Sequence, residues 1–139
     1  MTLGDAEEKL PNGLHDANLL QFSVDYKTRT AQFEFNAWVG DVSSKDDAVR
    51  QKYQRATLSI RGLRFLILEK PDPGYKFQSG IPTIGGFSGW GGEYAPPAEI
   101  RKLAEQLPGT AFYEATFVQN WNSFIHIAAD EAEIRLVHE

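Results

Sequence analysis

The sequence predicts an α+β domain that is mostly β. It would be a single antiparallel sheet, curved or rolled into a flattened barrel, of six or seven strands with one packed helix. Three observations predict this. Leu20, Phe22, Val24 and Tyr26 alternate with Gln21, Ser23 and Asp25, and Ala31, Phe33, Phe35, Ala37 and Val39 alternate with Gln32, Glu34, Asn36 and Trp38. A strand sends successive side chains to opposite faces, so each run makes one buried and one wetted face. Gly, Pro, Asn and Asp clusters punctuate these runs. Only one window, 97–107, carries a buried helical stripe. An all-β sandwich with an incidental helix is the alternative.

Residues 1–13 read as a flexible lead-in ending at Pro11-Asn12-Gly13, with 14–139 as a single globular domain. The first two strands, about 18–26 and 30–39, form a hairpin through the polar loop Lys27–Arg29. Residues 41–54 are a polar, exposed connection, with Ser44 to Asp47 offering a helical start. Only Val42, Val49 and Tyr53 there are candidates for burial. In 56–69, Ala56, Leu58 and Ile60 share one phase and Leu63, Phe65 and Ile67 the other. A phase change at Gly62 marks a bulge or bend between two strands. Leu66 and Leu68 make the second half apolar on both faces, which places it in the middle of the sheet.

Residues 71–97 read as irregular, holding five of the seven prolines. Loops this long are uncommon in compact domains and often functional. The helix at 97–107 sets Ile100, Leu103, Ala104 and Leu107 on one stripe. Pro97 suits its first turn, Glu99 its positive end, and Pro108-Gly109 its stop. Strands at about 111–118, 123–129 and 132–138 close the chain, with hairpin turns expected at Asn120-Trp121-Asn122 and Asp130-Glu131.

The bulk numbers exclude several function classes. With 139 residues, 42% hydrophobic and 24% charged, the chain is a foldable single domain and too apolar for disorder. It has no cysteine, so disulfides, thiolate metal sites and cysteine nucleophiles are out. No apolar run approaches the ~20 residues of a membrane span, and the polar start lacks a signal peptide's pattern. A cytoplasmic protein with no membrane association is therefore expected. The net charge of −5 disfavours nucleic acid and suits a basic protein partner.

Candidate chemistry is sparse. His15-Asp16 precedes the first strand and His126 lies inside a late one; together they offer two imidazoles and a carboxylate, for a divalent metal or a general base. His-x-x-x-His spacing is absent, and ordinary hydrogen-bonded structural roles are favoured. No metal or cofactor is therefore expected. The run Gly85 to Tyr94 fits no phosphate loop, since no Gly-Lys-Ser/Thr closes it. Gly86-Phe87-Ser88-Gly89-Trp90 is not a nucleophile elbow either, as Trp stands in the last position. Phe87, Trp90 and Tyr94 in a glycine-rich setting instead suit partner contacts, because aromatics give large contact area at low entropic cost. Packing over the sheet is the equal alternative. Asp25 and Glu34, on polar faces, read as surface charges. Trp38 on such a face marks an interface or a covered patch.

Leu10-Pro11-Asn12-Gly13-Leu14-His15-Asp16-Ala17, Val24-Asp25-Tyr26, and Asn120 to Ala129 with Ala132 beyond resemble a family of small uncharacterised bacterial proteins. The resemblance implies a bacterial cytosolic single domain and no activity. It raises His15, Asp16, Trp121, Asn122 and His126 as a candidate polar cluster, provided the first strand and 123–129 are neighbours. The leading expectation is a non-enzymatic protein-binding module, immunity-like or regulatory. The alternative is a small-molecule or metal-dependent enzyme using His15, Asp16 and His126. A self-associating structural domain, and so a homo-oligomer, is the third reading.

Overall fold

The computed structural model describes residues 2–70, 82–89 and 96–137. Three short helices, α1 (Leu3–Glu7), α2 (Asp47–Arg50) and α3 (Ala98–Glu105), accompany eight strands. These are β1 (His15–Asp25), β2 (Thr30–Trp38), β3 (Tyr53–Arg61), β4 (Phe65–Leu68), β5 (Thr83–Ser88), β6 (Phe112–Val118), β7 (Ser123–Ala129) and β8 (Glu131–Leu136). The strands form one open antiparallel sheet in the order β4-β7-β6-β5-β1-β2-β3-β8.

The sheet thus has eight strands rather than six or seven. The extra one is β5, inside the stretch read as irregular. Its glycines hide it: Gly86 has φ +92°, and the pairing with β6 shifts register between Ile84 and Phe87. The bulge lets Ile84 and Phe87, three residues apart, both be buried. A similar shift in β1 between Leu19 and Gln21 moves the core-side phase from Ala17 and Leu19 to Phe22 and Val24, so Leu20 is not in that series; Val24 packs on the core, while Phe22 stacks on Phe33 and stays exposed.

The core follows the predicted alternation elsewhere. Ala31, Phe33 and Phe35 of β2 stand opposite Ile60, Leu58 and Ala56 of β3, all buried. The phase change at Gly62 is a bend, with Gly62 at φ +64°. Leu63 N–H donates to Arg29 O at 2.8 Å, and Arg64 N–H to Ala128 O at 2.7 Å. Asp130 is a second bend, not a hairpin turn, because β7 pairs with β4 and β6 while β8 pairs with β3. Its N–H is shared by Arg61 O and Gly62 O, each at 3.2 Å. Its carboxylate grips Arg64 through Nε at 3.1 Å and Nη2 at 3.2 Å. The two bends meet at Gly62 and Asp130.

The segment read as a lead-in is packed into the core. Thr2 caps α1 in a capping box with Asp5, and Leu3, Ala6, Leu10 and Leu14 are buried. Apolar residues three, four and four apart, flanked by acids, were the unread signal. Conversely, the stripe of α3 is only partly covered: Ile100 is buried, but Leu103 is exposed. Val42, Val49 and Tyr53 are exposed as well. β4 is also not central; it ends the sheet. No helix among the described residues is long and apolar enough to cross a membrane.

Candidate functional site

The sheet order separates the predicted polar cluster. His15 stands opposite Gly85 on β5, β5 pairs with β6, and His126 on β7 stands opposite Ala115 of β6. Two strands therefore lie between β1 and β7, which puts their backbones roughly 14 Å apart. The His15 side chain is 63% exposed, and its one ion pair among the described residues is with Asp16, at 3.4 Å. Asp16 has φ +60°, and its carbonyl accepts from Tyr53 Oη at 3.5 Å. Trp121 and Asn122 form the β6–β7 turn, with Trp121 packed on the core and Asn122 at φ +50°. No group of three or more acidic or histidine side chains able to hold a metal occurs among the described residues.

His126 has other partners. It is fully buried, and its Nδ1 lies 2.7 Å from Tyr113 Oη. Its Nε2 lies 2.8 Å from Glu69 Oε2. Glu69 Oε1 accepts the Phe124 N–H at 3.0 Å. In that arrangement His126 donates from Nε2, and Nδ1 accepts the Tyr113 proton. Three strands supply the chain: Glu69 follows β4, Tyr113 is on β6 and His126 on β7. Neither Glu69 nor Tyr113 is marked by any local spacing; only strand pairing brings them together.

Two further carboxylates hold α1. Glu114 is inward on β6, opposite Ile127, and its Oε2 accepts from Gly4 N–H at 2.8 Å. Leu3 N–H and the Thr2 hydroxyl add favourable electrostatics for its ionised form. Burial raises its pKa, and the Gly4 hydrogen bond with these two groups pulls the other way. Glu7, at the other end of α1, accepts the Phe87 N–H at 3.0 Å. Burial pushes its pKa up to about 7, against the Phe87 bond and with repulsion from Glu114 and Glu8. Gly13 and Gly86, both at positive φ, give its carboxylate room. A carboxyl within an apolar strand, Phe112-Tyr113-Glu114-Ala115, was the available signal for Glu114.

The aromatic loop divides. Phe87 is buried in the core, so it packs rather than offering a contact face. Trp90 and Tyr94 lie outside the described residues. Trp38 is covered: its Nε1–H donates to Arg50 O at 2.6 Å, beneath the α2 connection. Asp25 accepts from the Lys27 and Thr28 N–H groups and Glu34 pairs with Arg55, so these two acids serve separate partners.

One exposed apolar feature among the described residues is the outer side of β4. Glu69 N–H bonds Phe124 O, and β4 pairs with β7 without a register break. Antiparallel alternation then turns the backbone groups of Phe65 and Ile67 toward β7 and those of Leu66 and Leu68 outward. No described strand lies on that side. Leu68 is 45% exposed. A groove of about 360 Å³ lies beside the strand's start, lined by Val24, Tyr26, Arg29, Leu63, Phe65 and Leu66. Tyr26 at its rim is 89% exposed. No family model, curated protein or solved structure matches the chain significantly.

Proposed function

We propose that this chain is a non-enzymatic protein-binding module, in an immunity-like or regulatory role in the bacterial cytoplasm, that takes an extended segment of its partner onto the outer edge of β4. One observation carries the reading: an apolar strand, Phe65-Leu66-Ile67-Leu68, ends the sheet with the backbone groups of Leu66 and Leu68 turned outward. Sheets with such an edge accept an added strand, the backbone supplying affinity and alternate side chains supplying selectivity. Folded proteins usually blunt an edge with charge or proline, and β4 has neither within its span.

The test is capture from source-cell lysate by wild type and by Leu66→Pro. Proline at 66 removes an outward N–H and leaves the β4–β7 hydrogen bonds in place. A partner held by wild type and lost by the variant, then reconstituted from purified components, supports the reading. A partner held equally by both overturns it.

One observation favours a second reading, in which His126 works in a small-molecule enzyme. The Glu69–His126–Tyr113 chain would poise a phenol to exchange a proton. A ligand that stabilises wild type but not Tyr113→Phe would support this reading.

A further inference from the structure

We propose that β8, at the opposite end of the sheet from β4, pairs antiparallel with β8 of a second copy of this chain, about a twofold axis at Ile134. The inference concerns the other edge and does not depend on what docks on β4.

The outer side of β8 has unused backbone groups. Val137 N–H donates to Arg55 O at 2.8 Å, and β8 pairs with β3 without a register break. Alternation then gives the backbone groups of Glu131, Glu133 and Arg135 to β3 and turns those of Ala132, Ile134 and Leu136 outward. No described strand lies on that side, and none of these outward N–H and C=O groups bonds a described residue. The helix α1 also touches β8 but makes no hydrogen bond to it. Backbone groups left without a partner must face water or find one. The strand is held straight for pairing, because the side chains of Ala132 and Ile134 are anchored in the core.

The order of charges along β8 selects the occupant. Glu131, Glu133 and Arg135 are all exposed, on the face away from the core. Glu131 pairs with Arg61 at 2.9 Å, and Arg55 on the neighbouring strand pairs with Glu34. Glu133 and Arg135 form no ion pair with a described residue. Their charges cancel along the strand, so no net field is involved. An antiparallel pair centred on Ile134 sets Glu133 of each copy opposite Arg135 of the other. The same register joins Ile134 to Ile134 and Ala132 to Leu136, which uses the outward groups of all three residues. Slipping one copy by two residues sets either Glu133 against Glu133 or Arg135 against Arg135. Charge on an edge ordinarily keeps unrelated strands away. Here the same repulsion rejects the slipped registers and leaves one self-complementary pairing, as an isologous interface requires.

The test is analytical ultracentrifugation of the whole chain over a wide concentration range, with amide exchange read by NMR. The mass should rise with concentration from monomer toward dimer. Exchange at Ala132, Ile134 and Leu136 should slow in step, while Glu133 and Arg135, already bonded to β3, should not change. Glu133→Arg sets Arg against Arg, and Arg135→Glu sets Glu against Glu; each alone should weaken self-association about tenfold. An equimolar mixture of these two variants should associate as wild type does, because Arg and Glu face each other again. A merely structural role for either residue would not be rescued by mixing. A chain that stays monomeric to its solubility limit overturns the proposal. So does association that the single variants leave unchanged, or a mixture of the folded variants that fails to associate. Concentration-dependent protection at Leu66 and Leu68 with none at Ile134 overturns it in favour of self-association through β4.

Discussion

The Glu114 carboxylate, deep in the sheet, accepts the Gly4 N–H of α1 at 2.8 Å. A strand's inward acid thereby satisfies a first-turn N–H that a helix leaves open, and its charge sits at the positive end of the helix. Glu114→Ala should cost ~2 kcal/mol, the range for a charge-assisted hydrogen bond whose donors are left buried. Urea denaturation would read the loss. Hydrogen exchange should show the amides of α1 losing protection first.

Glu7 makes stability depend on pH in a defined direction. Its folded pKa, about 7, lies above the ordinary value of 4.5, so the folded state holds its proton more tightly. Its contribution is complete below pH 4.5 and is lost as pH rises through 7. The loss should be roughly 1–2 kcal/mol after discounting for partial exposure. Thermal melts from pH 5 to 8 should fall across that window. Glu7→Gln, which keeps an acceptor for Phe87 N–H, should flatten that part of the profile.

The two histidines should behave oppositely. His126→Ala strips partners from Tyr113 and Glu69 and opens a buried cavity, which predicts a loss of ~3 kcal/mol. His15→Ala removes an exposed side chain and should stay within about 0.5 kcal/mol. Equal losses from both in chemical denaturation would contradict this assignment.

Gly62 and Gly40 should resist substitution for different reasons. At Gly62 a Cβ would meet the Asp130 side chain, on a backbone with φ +64°. Gly62→Ala should cost ~2 kcal/mol through strain and displacement of Asp130 from its bend. At Gly40 a Cβ would fall on the Arg50 carbonyl that receives the Trp38 N–H. Gly40→Ala should free the α2 connection and raise the accessibility of Trp38 to acrylamide quenching.

What the sequence determined by itself was the inside and outside of strands whose two-residue beat runs unbroken, as in β2, and not of β1, where a register shift leaves Phe22 and Tyr26 exposed. Phe33 and Phe35 against Gln32 and Glu34 told inside from outside, because a strand's geometry converts alternation directly into burial. The bend at Gly62, the β1–β2 and β6–β7 turns and α3 were legible for the same local reason. β5 was not, since Gly85 and Gly86 carry no side chains to show a phase and a bulge breaks the beat. The tertiary structure decided strand order. Order sent β4 from the expected middle to the end of the sheet, exposing Leu66 and Leu68 backbone that the same four apolar residues would have hidden inside it. Order also separated His126 from His15 and joined it to Glu69 and Tyr113, which lie 57 and 13 residues away in the chain. Strand pairing rests on contacts between residues remote in sequence, and a single sequence carries no local trace of which remote residues meet.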